Sequence, residues 1–186
     1  MSVETFIAAV ARALEAAEIP FMLTGSIAAA LHGTPRATQD IDLVIEATAA
    51  QLDHLVEALT AARLYVSREA AHEALANQGQ FNAIDPTSGW KIDFIIRKAR
   101  PFSETEFGRR IATEAFGVPM AVATIEDLIL AKLEWSGLGD SELQRRDVAE
   151  LLEVAGPDVD MPYLEKWIES LGLQSTWRRV RSRAEG

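Results

Sequence analysis

Cysteine is absent from all 186 residues. That excludes disulfides, thiolate metal sites and cysteine nucleophiles, and it fits a reducing cytoplasm, the expected location. Long apolar runs are missing as well. The longest candidate, around 125–133, is interrupted by Glu126, Asp127 and Lys132, whereas a membrane span needs about 18 apolar residues in succession; no membrane association is expected. The opening stretch has no basic leader and carries Glu4, Glu15 and Glu18, so it does not read as a signal peptide. Positive charge is scarce: 18 Lys and Arg face 28 Asp and Glu, a formal net charge of −10. A broad basic groove for duplex nucleic acid is therefore not expected. Histidine occurs three times. His32 has no second histidine at ligand spacing and reads as a helix-end residue, while His54 and His72 read as helix-surface positions. Internal repeats and low-complexity linkers are also lacking.

Nearly half of the residues are hydrophobic (48%), enough for one domain with a full core, or a core with a helical appendage. Helical periodicity marks residues 2–18, with Val3, Phe6, Ile7, Val10 and Leu14 on one face. Thr48 with Gln51 forms a capping box ahead of Leu52, Leu55, Val56 and Leu59. A short strand is expected at 64–66, a helix at 68–76 and a polar, mobile segment at 77–80. Gln80–Ile84 and Trp90–Arg97 read as a hairpin around Asp85-Pro86-Thr87-Ser88-Gly89. Ser103 and Glu106 suggest another capping box, opening a short helix to Ile111, and 118–123 reads as a strand. From Thr124 onward the chain is helical. Thr124 and Ser141 serve as caps, Leu143, Val148, Leu151 and Leu152 form one core face, and two more helices run over 161–171 and 174–184. Arg178, Arg179, Arg181 and Arg183 crowd the last of these, either as a solvated helix end or as a contact for RNA or a partner.

The chemistry concentrates in FMLTGSIAAALHGTPRATQDIDLVIE, residues 21–46. It reads as a strand (Phe21 to Thr24), a Gly25-Ser26 turn, a small-residue helix (Ile27 to Leu31), a polar loop and a second strand (Ile41 to Glu46) with Asp40 and Asp42 at its start. A helix beginning at Gly25-Ser26 offers free backbone N–H groups and a positive dipole end, which suits phosphate. Side chains two apart on a strand share a face, so Asp40 and Asp42 aim two carboxylates at one spot. Such a pair beside a phosphate site suits Mg²⁺, which takes one or two carboxylates plus substrate phosphate oxygens. Arg36 and Thr38 precede the pair. Arg36 is open to a triphosphate or to an ion pair with Asp40 or another acid. A further carboxylate, Asp93, stands inside the apolar strand WKIDFIIR, where it needs a partner or a metal. Asp85 competes with it as a third carboxylate, but a turn is an ordinary place for Asp.

Gly25-Ser26, thirteen intervening residues and Asp40-Ile41-Asp42-Leu43, with Asp93 on a later strand, resemble the nucleotidyltransferase superfamily that shares the DNA polymerase β fold. Thr24 departs from the hydrophobic residue that usually leads the Gly-Ser. The helical pair IEDLILAKLEW and QRRDVAELLE is similar to the abortive-infection type nucleotidyltransferase toxins. The resemblance implies an α/β (α+β) fold: a mixed sheet flanked by helices as the catalytic core over 1–123, with a C-terminal helical region over 124–186 packed on it. It implies a metal-dependent transfer of NMP from ATP or another NTP to a hydroxyl on a tRNA end, a protein or a small molecule. Asp40, Asp42 and Asp93 would be the catalytic, metal-binding carboxylates, holding two Mg²⁺ (or Mn²⁺). Gly25, Ser26, Arg36, Thr38, Lys132 and Asp147 would bind nucleotide, although Lys132 and Asp147 also fit a surface ion pair between neighbouring helices. A toxin role would imply a separate antitoxin partner. The alternative from another class is an inactive nucleotide- or partner-binding module of the same fold.

Overall fold

The computed structural model describes residues 2–35, 37–139 and 141–184. In chain order the elements are α1 (Val3–Ala16), β1 (Phe21–Thr24), α2 (Gly25–Leu31), β2 (Asp40–Ile45), α3 (Ala49–Ala61), β3 (Tyr65–Val66), α4 (Arg68–Asn77), β4 (Gln80–Ile84) and β5 (Lys91–Ile96). There follow α5 (Pro101–Arg109), β6 (Ile111–Ala115), β7 (Val118–Val122), α6 (Ile125–Gly139), α7 (Glu142–Ala155), α8 (Met161–Ser170) and α9 (Gln174–Ala184), with a 3₁₀ turn at Gly156–Asp158. They group into two compact units: residues 1–27 with 37–123, and residues 28–36 with 124–186. Among the described residues no helix is long and apolar enough to cross a membrane.

The first unit is built on a seven-stranded mixed sheet of order β3-β4-β5-β2-β1-β7-β6. β2 and β5 run parallel in full register from Asp40↔Lys91 to Ile45↔Ile96, and β1 lies antiparallel to β2. Alternation decides which face is core. Ile41, Leu43, Ile45, Ile92, Phe94 and Ile96 are each at most 5% exposed. Phe94 stacks on Phe81 of β4 with ring centroids 4.9 Å apart. α1 packs on α3, the two contributing Phe6, Leu14, Leu52, Leu55 and Leu59 to the core, and α4 packs on β4 through Ala71 and Ala74. Local chemistry starts these helices where the sequence indicates. Ser2 accepts from Thr5 N at 3.3 Å. Thr48 accepts from Gln51 N at 3.4 Å while Gln51 Oε1 accepts from Thr48 N at 3.0 Å.

Several details differ from the sequence reading. The helix expected to begin at Ser103 begins at Pro101, because proline fits the first helical position where its missing N–H costs nothing. Ser103 is buried within that helix and accepts from Arg100 Nε at 3.0 Å. Ile111 opens an edge strand that pairs with β7 as a hairpin. The polar segment 77–80 is held: Gln78 caps α4 in a left-handed conformation, and its side chain accepts from Ala99 N at 2.9 Å. His72 is tied to Asp53 at 2.9 Å.

The second unit is helical. α6 and α7 pack together, and α8 and α9 pack against them. Asp127 anchors the start of α6, accepting from the Thr124 hydroxyl at 2.7 Å and from the Tyr163 hydroxyl at 2.5 Å. Glu126 accepts from Asp160 N at 3.2 Å. Val148 and Leu151 are buried as expected, but Leu143 is exposed in the first turn of α7. Residues 28–36 join this unit. There the Thr34 hydroxyl donates to Ala29 O at 3.0 Å, and Gly33, at φ +104°, lies against Val154, which a Cβ would meet at 3.2 Å. The side chain of Arg183 lies outside the described residues.

Candidate functional site

The parallel register of β2 and β5 sets Asp42 beside Asp93 and Asp40 beside Lys91 on one face of the sheet. Adjacent strands lie about 4.8 Å apart, so these four side chains are immediate neighbours. On the other side of β2, Thr24 pairs with Asp42, and the chain then turns into α2. That turn brings the backbone of Gly25 against the Asp42 carboxylate. A Cβ on Gly25 would lie 2.0 Å from Asp42 Oδ2 and 2.7 Å from its Cγ. Gly25 also sits at φ +68°, a left-handed backbone that costs other residues about 1–2 kcal/mol. Both the space and the torsion therefore require glycine here.

Gly25, Asp40, Asp42 and Asp93 thus meet at one corner of the sheet, within the first unit. Ser26 follows directly and is buried. Thr38 works on the backbone: its hydroxyl accepts from Asp40 N at 3.1 Å and so braces the entry to β2. Arg36 lies outside the described residues. Asp85 serves its own turn, accepting from Thr87 N at 3.0 Å and from the Ser88 hydroxyl at 2.5 Å.

Sequence reasoning missed Lys91. It lies two residues before Asp93, so the same alternation that placed Asp93 on this face also places Lys91 there. Its Nζ is 3.2 Å from Asp40 Oδ1 and 2.9 Å from Asp93 Oδ2. Asp40 is largely open to solvent whereas Asp93 is nearly enclosed, with side chains 57% and 11% exposed. The hydrogen bond to Asp93, and after it the one to Asp40, hold the Lys91 ammonium above its usual range against the opposing pull of burial. Among the described residues no group of three or more His, Cys, Asp or Glu is arranged to hold a metal ion. The donor chemistry still fits a hard divalent cation, since Mg²⁺ is commonly held by one or two carboxylates and completed by substrate phosphates and water. Lys91 already places one cationic group between two of the three carboxylates.

Lys132 and Asp147 meet in the second unit. Lys132 Nζ donates to Asp147 Oδ2 at 2.7 Å and to Gln144 Oε1 at 3.3 Å, and Lys132 and Asp147 are both buried.

The mixed seven-stranded sheet flanked by helices is the nucleotidyltransferase fold, and solved structures carry the same fold. ANT(2'')-Ia in complex with adenylyl-2''-tobramycin is 15% identical over 97% of this chain and 97% of its own, with a TM-score of 0.56. An antigenic nucleotidyltransferase-like protein from Paracoccidioides brasiliensis is 18% identical over 94% of this chain and 91% of its own, with a TM-score of 0.59. The lincosamide antibiotic adenylyltransferase LnuA, lincomycin-bound, is 11% identical over 83% of this chain and 98% of its own, with a TM-score of 0.55. No protein-family profile matches the chain, and no curated protein sequence does.

Proposed function

We propose that this chain transfers a nucleoside monophosphate from an NTP, ATP foremost, to a hydroxyl of a small molecule. The observation that carries the proposal is the Asp42 carboxylate lying against the backbone of Gly25, with Asp93 in register on the neighbouring strand. Proteins of this fold that are named as adenylyltransferases or bound to an adenylylated antibiotic support the acceptor class and the choice of ATP. A tRNA end or a protein acceptor has no comparable support.

Phosphoryl-group chemistry asks the protein for position and charge rather than for covalent steps. Asp40, Asp42 and Asp93 would hold Mg²⁺, or Mn²⁺ in its place, and the bound cation supplies charge neutralisation for the triphosphate and the departing pyrophosphate. Gly25 lets main-chain N–H groups approach the phosphates without a side chain intervening, and the Ser26 hydroxyl adds a donor. Asp93, the most enclosed of the three carboxylates, draws the proton from the acceptor hydroxyl or orients that oxygen. The hydroxyl oxygen bonds to the α-phosphorus in line, the bond from that phosphorus to the bridging oxygen breaks, and pyrophosphate leaves with the electron pair.

The test is Asp42→Asn with labelled ATP and a panel of aminoglycosides and lincosamides. Label transfer should drop by at least about a hundredfold while circular dichroism stays native. Near-wild-type transfer by a folded Asp42→Asn protein would sink the proposal. A toxin acting with a separate antitoxin is a narrower form of the same reading; growth arrest by the wild type but not by Asp42→Asn would support it. Lys91 favours a second reading, an inactive module, because it already satisfies two of the carboxylates. Calorimetry with ATP separates the two: binding that ignores Mg²⁺ and releases no pyrophosphate supports the module.

A further inference from the structure

We infer that Lys91 is a built-in counter-ion of the carboxylate corner, which competes with the divalent ion and passes to the nucleotide phosphates when ion and nucleotide bind. The inference rests on the transferase reading above and adds a role for a residue that no part of the expected signature contains.

Three carboxylates on one sheet face repel one another, and the repulsion is greatest where solvent is thinnest. Asp93 is the enclosed member and cannot rely on water. Lys91 resolves this, with one ammonium contacting Asp93 and Asp40 together. An ion coordinated by a carboxylate sits at about 2.0–2.1 Å from its oxygens. Lys91 Nζ already lies 2.9 Å and 3.2 Å from an oxygen of Asp93 and of Asp40. A divalent cation shared by Asp40 and Asp93 and this ammonium would therefore claim the same space, and one must leave. Lysine is suited to leaving. Its charge rides on a four-carbon stem with rotatable bonds, and its side chain is one-third open to solvent. A triphosphate entering beside Gly25 gives the displaced ammonium new oxygen partners on the same face.

The consequence is a site that takes metal weakly alone and firmly with nucleotide. Removing the ammonium should move the two affinities in opposite directions, which a purely structural lysine would not do. The probes are Mn²⁺ alone, followed by electron paramagnetic resonance of the free ion, and ATP at saturating Mn²⁺, followed by calorimetry. Lys91→Met should tighten Mn²⁺ binding by about fivefold or more, the scale of the ion pairs removed. The same variant should bind ATP more weakly. Lys91→Arg keeps the charge and should stay near wild type for Mn²⁺. Lys91→Gln repeats the test if the Met variant does not fold. Unchanged or weaker Mn²⁺ binding by a folded Lys91→Met protein, while the wild type binds Mn²⁺ with ATP, overturns the counter-ion role and leaves the transferase reading standing. Failure of the wild type to bind Mn²⁺ even with ATP overturns both.

Discussion

Charges that satisfy one another out of water are the residues where single substitutions act most strongly. Lys132 and Asp147 are 4% and 6% exposed and 2.7 Å apart at their charged atoms. Breaking such a pair costs more than forming it gains, because the survivor loses its opposite charge while still held out of water. Lys132→Met should lower the unfolding free energy by about 3–5 kcal/mol, read from urea midpoints. The double variant Lys132→Met/Asp147→Leu should recover much of that loss, since well-packed apolar replacements of a buried pair are often close to neutral. The two residues were visible in the sequence as charges on successive helices, but not their burial. A helix pattern reports which residues share a face, not how completely a neighbour covers it. Lys91 escaped for a related reason. Beside Asp93 it looks like an ordinary strand-end charge until the register with Asp40 is known.

At the scale of elements, legibility followed the strength of local rules. The Thr48–Gln51 box, the Asp40-x-Asp42 alternation and the hairpin around Asp85 each carry their own signal, and each formed as read. Strand β6 did not show itself because four of its five residues are exposed, so no buried alternation marks it. Leu143 went the other way, an apolar residue at helical spacing left at the surface. The turn between β4 and β5 offers a pH test. The Ser88 hydroxyl, and then the Thr87 N–H, hold the Asp85 carboxyl below its usual range. The folded chain therefore binds this proton more weakly than the unfolded chain, whose value is about 3.9. The stabilisation is complete above that value and is lost as pH falls through the lower folded value. Ser88→Ala should be less stable than the wild type near about pH 6, with the difference narrowing towards about pH 3. Urea midpoints across that range check it; a gap that is constant or widens in acid would contradict the assignment.

For the molecule as a whole, the division of the chain matters more than the count of its elements. Residues 28–36 belong with the helices that begin at Thr124, although sheet-unit residues flank them on both sides. Ala28 and Ala29 are nearly fully buried there, and Gly33 lies against Val154. A fragment of residues 1–123 would leave this excursion without its partners. It should bind a hydrophobic dye and melt without a sharp transition, whereas the full chain should melt cooperatively and bind no dye. A cooperative, dye-silent 1–123 fragment would mean that the excursion is dispensable.

That excursion also constrains how the gene can be recombined. A helical module borrowed from another chain could not be grafted as one C-terminal cassette. Two separate stretches of coding sequence, for 28–36 and for 124–186, would have to be exchanged together, and the first sits between Gly25-Ser26 and Asp40-Ile41-Asp42. Shuffling libraries that cross over only once should therefore yield few folded chimeras.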